Sequence, residues 1–220
     1  MSLSLICPTD EIESELSRDG SIVCGMDEVG RGAWAGPLVL AAVIPGSGTI
    51  TGVRDSKKIA PKKRMRLSDE IHSWAKGIGL GIVTNAEIDQ WGMSQALHIG
   101  SARALEQLEK TSMQVDAVLL DGQYNFIRND RYRVDTIIKG DNVSHAIAAA
   151  SIVAKVFRDN YMSSTEVAGR YPQFSFEKNK GYPAPVHKDA LARCGPTPLH
   201  RVSWNILGDS FSDTPLEGLM

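Results

Sequence analysis

Two short apolar runs, "SIVCGM" (21–26) and "PLVLAAVIP" (37–45), stand either side of a glycine-rich stretch. Their length and β-branched content predict strands, and the short link predicts antiparallel neighbours. "GIGLGIVT" (77–84) predicts a third strand. Its glycines superficially resemble a dinucleotide fingerprint, but the spacing is wrong and no acid-tipped βαβ unit surrounds it. Between these strands, Pro61 marks a helix start, and Met65, Leu67, Ile71, Trp74 and Ala75 form a buried stripe that runs to Gly77. Thr84 and Glu87 form a capping box for a short helix ending near Gly92. Leu97, Ala104, Leu105 and Leu108 then recur at helical spacing between Met93 and Lys110. "VDAVLLDG" (115–122) and "YRVDTIIKGD" (132–141) predict two strands that finish in acids, and the alanine-rich run 142–162 predicts a helix. From about Tyr171 the chain turns rich in Pro, Gly, Lys and aromatics, with a short helix expected near 187–194. Strands followed by alternating helices and strands predict an α/β class with a mixed sheet.

Composition narrows the setting. The 220 residues fit a single domain, 1–220, with about 1–20 as an N-terminal extension and about 165–220 as a C-terminal region and tail. Three cysteines, Cys7, Cys24 and Cys194, show no paired spacing, so reduced thiols and a cytoplasmic location are expected. The N-terminus has neither a basic start nor a continuous apolar core, and no run is long enough to span a membrane. The net charge of −2 announces no nucleic-acid binder, although a local basic face is what phosphate contacts need. "RDSKKIAPKKRMR" (54–66) carries seven Lys or Arg and is one such face, or else a solvated loop and exposed helix side. In "EKNKGYPAPVHK" (177–188), Tyr182 is framed by lysines and could stack on a sugar or base, or simply be a buried loop tyrosine.

Acids recur where strands are predicted to end: Asp27 and Glu28, then Asp121, then Asp141. Ends of neighbouring strands converge, and two charges about 4 Å apart at an effective dielectric near 20 repel by about 4 kcal/mol. Either their pKa values rise or a cation neutralises them. An oxygen-only donor set without Cys or His points to Mg2+ or Mn2+. Singly, Asp121 before Gly122 also reads as a turn, and Asp141 as a helix N-cap. His187 and His200 are weaker acid/base candidates. No GxSxG elbow or P-loop is present, which disfavours acyl transfer and NTP hydrolysis.

The ordered set "GMDEVGRG", "DSKK", "LLDG", "IIKGD", "AASIVAKVFRD" and "NKGYPAPVH" resembles the bacterial type 2 ribonucleases H, ribonuclease HII, from about Val23 to Trp204. The resemblance implies a ribonuclease H-like fold, a mixed sheet flanked by helices, with a helical C-terminal region that helps to hold substrate. It places the family's metal-binding acids on Asp27, Glu28, Asp121 and Asp141, and its reader of the ribonucleotide 2′-hydroxyl on Gly30, Arg31 and Gly32. Tyr182 falls on the tyrosine that packs on the deoxyribose after the ribonucleotide, and Lys57 and Lys58 on a basic pair that contacts substrate backbone. Asp159 is expected to be structural, pairing Arg158 or another basic neighbour. The implied activity is a Mg2+- or Mn2+-dependent, two-metal-ion endonuclease. Its substrates would be RNA–DNA hybrids and DNA duplexes containing ribonucleotides, the latter cut 5′ to the ribonucleotide to leave 5′-phosphate and 3′-hydroxyl ends. A monomer is the expected working form. The rival is a duplex-binding protein without catalysis, which four intact acids argue against. Ala33 and Trp34, where many relatives have Pro-Leu, depart from the family pattern near the expected substrate path, as do Asn142 and the "HRVSW" ending.

Overall fold

A computed structural model describes residues 8–111 and 113–206. Cys7 and the expected tail 208–220, with Phe211, lie outside the described residues. Five strands, β1 (Val23–Val29), β2 (Leu38–Ile44), β3 (Gly77–Val83), β4 (Ala117–Asp121) and β5 (Arg133–Ile137), form one sheet in the order β3-β2-β1-β4-β5. β2 pairs antiparallel with both β1 and β3, whereas β1, β4 and β5 run parallel, so the sheet is mixed as expected.

Strand alternation builds two cores from one sheet. Leu38, Leu40 and Ala42 of β2, with Cys24 and Met26 of β1, pack under α3 (Asn85–Thr111). Val39, Ala41 and Val43 point the other way, against α2 (Pro61–Trp74) and the alanines of α4 (His145–Ser163). The glycines of β3 serve this packing. A Cβ on Gly79 or Gly81 would stand 2.0 or 1.8 Å from a backbone oxygen of α3, so the spacing that resembles a nucleotide fingerprint is a seat for a helix.

Several local expectations shift. β1 continues to Val29, with Asp27 opposite Ala41 and Glu28 opposite Leu40, so the acid pair lies within the strand rather than at its end. β5 stops at Ile137, and Asp141 sits in a 3-10 turn, Gly140–Asn142. Ser144 caps α4 by accepting from the Ile147 N–H, which removes the N-cap explanation of Asp141. The buried Glu13 of α1 (Glu11–Leu16) accepts from the Ser144 hydroxyl at 2.6 Å and the Ala146 N–H at 2.7 Å. The N-terminal helix is therefore tied to the start of α4 rather than loosely appended. On α2, Met65 is 52% exposed, and Arg64 and Ser68 take the buried face with Leu67 and Ile71. Gly92, at φ 75°, breaks α3 where the helix was expected to end, and Thr84 and Glu87 make the reciprocal capping bonds.

Beyond α4 the chain forms α5 (Phe176–Asn179) and α6 (Pro185–Cys194) around Phe174 and Phe176. Ala35 bridges antiparallel to His200, tying this C-terminal region to the loop between β1 and β2. Among the described residues no helix is long and apolar enough to cross a membrane.

Candidate active site

β1 and β4 run parallel with Met26 opposite Leu120, so one step further along each strand stands an acid, Asp27 and Asp121. Strand alternation sends Asp27 and Glu28 toward different faces. Asp27 lines a cavity of about 280 Å³ with Ser151 and Lys155 of α4 and with Tyr182. Glu28 lines that cavity too, and also a larger one of about 690 Å³ on the α3 side, shared with Asp121. Glu28 thus forms the wall between them.

The acids repel one another. Burial, then the charges of Glu28 and Asp121, hold the Asp27 carboxyl well above the ordinary range, although it accepts the Glu28 N–H at 2.7 Å. Burial lifts Glu28 to about 7, with Asp121 adding to the rise, despite Arg31 and Lys57 nearby. Burial raises Asp141 as well, helped by Asp55 and Asp121 and opposed by Lys57 and Lys58. Asp121 is held by the Gly140 N–H at 2.7 Å, a bond that ties the turn bearing Asp141 to β4. The structure therefore brings all four predicted acids into one electrostatic neighbourhood.

A divalent cation fits this donor set by its chemistry. The candidate donors are oxygen only, Asp27 and Asp141 are buried with Glu28 and Asp121 half-buried, and three of the four carboxyls are held above their ordinary range by burial and by neighbouring acids. Among the described residues no three or more His, Cys, Asp or Glu side chains stand in metal-holding geometry. Arg31, 3.7 Å from Glu28 and largely exposed, is too solvated to neutralise it.

The glycine-arginine-glycine segment lies beside Tyr182. The Gly30 N–H donates to the Tyr182 hydroxyl at 3.2 Å, joining two motifs that are 152 residues apart. Gly30 has φ +92°, and a Cβ there would meet Arg158 Nε at 2.3 Å, so its glycine is required by the scaffold. Gly32 faces open space and leaves its backbone accessible. Lys57 and Lys58 are both exposed, and Lys58 donates to Asn142 at 2.9 Å, so the basic pair sits over the Asp141 turn.

A set of buried donors supports this surface. Arg158, fully buried, donates to the carbonyls of Pro37, Ala35 and Lys180 at 2.7, 2.9 and 2.8 Å. Its guanidinium also lies 5.3 Å from the Tyr182 ring centre. Arg201, equally buried, donates to Gly36 and Arg31 carbonyls. Asp159 is structural as expected, but its partners are Arg64 at 3.1 Å and Lys155 at 2.6 Å rather than Arg158, whose charge is spent on carbonyls.

His187 and His200 do not act on the acids. Both are buried, and neither lines the two acid-bearing cavities. Thr197 N–H donates to His200 Nδ1 at 2.9 Å, which leaves the His200 proton on Nε2 to donate to His187 Nε2 at 3.0 Å. His187 Nδ1–H then donates to the Tyr182 carbonyl at 2.8 Å. This directional chain requires both rings neutral, in line with burial lowering His187 and driving His200 down to about 4. Trp34 belongs to the same region: its backbone N–H donates to the Gly181 carbonyl at 2.8 Å, and its ring lies edge-on to His187.

Sequence reading passed over Asp55, Lys155, Tyr124 and Arg128, which the fold draws toward the acids. Asp55 and Lys155 stood inside the quoted motifs "DSKK" and "AASIVAKVFRD", which could have exposed them. Tyr124 and Arg128 carry no such signal.

Residues 24–207 match the family described as Ribonuclease HII. Among curated relatives, a ribonuclease HII of Streptomyces avermitilis is 43% identical over 203 residues, 91% of this chain and 84% of its own length. One of Caldicellulosiruptor bescii is 41% identical, over 90% of this chain and 94% of its own. Among solved structures, ribonuclease H2 from Pyrococcus horikoshii OT3 superposes with a TM-score of 0.68 at 25% identity, covering 84% of this chain and 94% of that one. Bst-RNase HIII in complex with Mn2+, at 18% identity and a TM-score of 0.52 over 79% of this chain and 70% of that one, shares the fold.

Proposed function

The chain belongs to the ribonuclease HII family, endonucleases that cleave the RNA of RNA–DNA hybrids, and from that premise we propose that it also incises DNA duplexes 5′ to embedded ribonucleotides. Asp27, Glu28, Asp121 and Asp141 are the proposed ligands of Mg2+ or Mn2+. When bound, the ions would supply a nucleophilic water and stabilise charge on the departing oxygen, leaving 5′-phosphate and 3′-hydroxyl ends. The observation that carries this reading is the pair of buried Asp27 and half-buried Glu28, raised by burial and by Asp121, beside a tyrosine bonded to the backbone of Gly30.

The chain's own share is orientation and charge. The backbone of Gly30, Arg31 and Gly32, open at Gly32, forms the reader of the 2′-hydroxyl, the group that distinguishes RNA from DNA. Tyr182, steadied by Gly30, Arg158 and the histidine chain, takes the deoxyribose of the next nucleotide. Lys57, Lys58 and Lys155 offset phosphate charge near the cut. The role that follows is removal of ribonucleotides from DNA, by a monomer in the cytoplasm.

The test is incubation with a DNA duplex containing one ribonucleotide, with Mg2+, Mn2+ or EDTA. Incision 5′ to the ribonucleotide with either metal and none with EDTA supports the reading. No incision with both metals, or incision in EDTA, overturns it.

A further inference from the structure

Glu28 separates two cavities that each carry a tyrosine, Tyr182 on the α4 side and Tyr124 on the α3 side. The α3-side cavity, about 690 Å³, is lined by Glu28, Asp121 and Arg31, by Tyr124 and Arg128, and by Met93 and Leu97 of α3. The loop after β4 is built to present Tyr124. Phe126 and Ile127 anchor it in the core under α3, and Asn125 Oδ1 accepts the Ile127 N–H at 2.8 Å to tighten the turn. Tyr124 is left 68% exposed, while Arg128 bonds Gln95 of α3 at 2.9 Å and faces the same cavity. An exposed ring with two arginines, continuous with the half-buried Glu28 and Asp121, matches a nucleic-acid strand: a flat face for a sugar, and cations for its phosphates.

Polarity follows from the proposed function, on which this inference rests. There, Tyr182 takes the nucleotide on the 3′ side of the ribonucleotide, and the cut falls on its 5′ side. The acids lie between the tyrosines, so the strand leaving them away from Tyr182 enters the α3-side cavity. We propose that this cavity is a subsite for the nucleotides 5′ of the cut, with Tyr124 packing on a sugar and Arg128 contacting a phosphate. The acid site is thus bracketed by two tyrosines that hold the strand on both sides of the cut bond.

The experiment measures cleavage, and duplex binding in EDTA by fluorescence anisotropy, for wild type, Tyr124→Ala, Tyr124→Phe and Arg128→Ala. The probe is a DNA duplex with one ribonucleotide, either full length or shortened on the 5′ side to one base pair from the cut. On the full-length duplex, Tyr124→Ala is expected to weaken binding and raise KM about 10-fold with kcat nearly unchanged, and Tyr124→Phe to behave as wild type. Arg128→Ala should flatten the salt dependence of log binding constant by about one unit of slope. Shortening the 5′ side should weaken wild type about as much as the mutation does, and weaken Tyr124→Ala no further. Unchanged binding by both alanine variants, or a further loss by Tyr124→Ala on the 5′-shortened duplex, overturns the subsite. Wild-type protein that fails to cut the full-length duplex with either metal overturns the proposed function. Normal wild-type cutting with an unaffected Tyr124→Ala overturns only the subsite.

Discussion

The β1–β4 edge and the C-terminal region both bury ionisable groups, and they settle the cost in opposite ways. At the β1–β4 edge, Asp27, Glu28 and Asp141 are buried or half-buried among like charges, and their carboxyls are held above the ordinary range. Around the C-terminal region, Arg158 of α4 donates to three carbonyls, and His187 and His200 pass hydrogen bonds in one direction to Tyr182. The first region leaves its carboxyls repelling one another, whereas the second satisfies its donors with carbonyls, even though burial and the charge of Arg158 lower Arg201 to about 9. A fold that tolerates repulsion at one place and satisfies its donors next to it has a ligand site on a scaffold, because uncompensated buried charge is expensive unless something neutralises it.

Substitutions should separate the two regions. Asp27→Asn is expected to lower cleavage at least about 100-fold, since it removes charge where the reaction needs it. Its melting temperature should stay level or rise, because a repelling carboxylate has gone; a large fall in thermal unfolding would make Asp27 a scaffold residue. Arg158→Met is the converse. It strands buried carbonyls of Pro37, Ala35 and Lys180, for a loss on the order of 3 kcal/mol and a fall of about 10 °C in melting temperature. Tyr182→Ala should weaken cleavage at a single ribonucleotide about 10-fold more than cleavage of a uniform hybrid. Equal loss on both substrates would instead assign the ring to folding.

The histidine chain predicts a smaller, pH-dependent effect. His200 titrates near 4 when folded, against an ordinary value near 6.5, so the unfolded chain takes up the proton first. The stability it contributes is fully present above about pH 6.5 and is lost as pH falls toward 4. Thermal melts at pH 7 and pH 5 should show that loss in wild type, and His200→Gln should shrink it. The smallest effect is expected at Arg66, whose pair with Glu70 is solvent-exposed. Arg66→Ala should change stability by less than about 0.5 kcal/mol in a denaturant titration.

Most of the sheet was legible in the sequence. β2, apolar and buried from Leu38 to Ile44, the short apolar run of β4, and β5 with Val134, Thr136 and Ile137 carry the length and composition of strands. The four acids were legible as a recurrence at predicted strand ends, even though β1 runs past its pair. What could not be read depends on contacts between distant residues. Arg158 reaching Pro37 arises only when α4 packs against the loop between β1 and β2, and Gly30 meeting Tyr182 only when the C-terminal region folds back on that loop, where His187 also bonds His200. Arg64 on the buried side of α2 was misread for the same reason: its partners, Ser56, Ile59 and Asp159, lie outside the helix whose periodicity was being read. Trp34 departs from the family pattern, yet it is explained by its packing on His187 and the charge of Lys188 held 5.5 Å from its ring.

Asp121 tests the central contrast most directly, because its charge bears on Asp27, Glu28 and Asp141 together. The measurement is incision of a DNA duplex containing one ribonucleotide by Asp121→Asn in Mg2+ or Mn2+, alongside binding of the same duplex. Loss of nearly all incision with binding retained is the predicted result; near-normal turnover would contradict the assignment of these acids as the cleavage site.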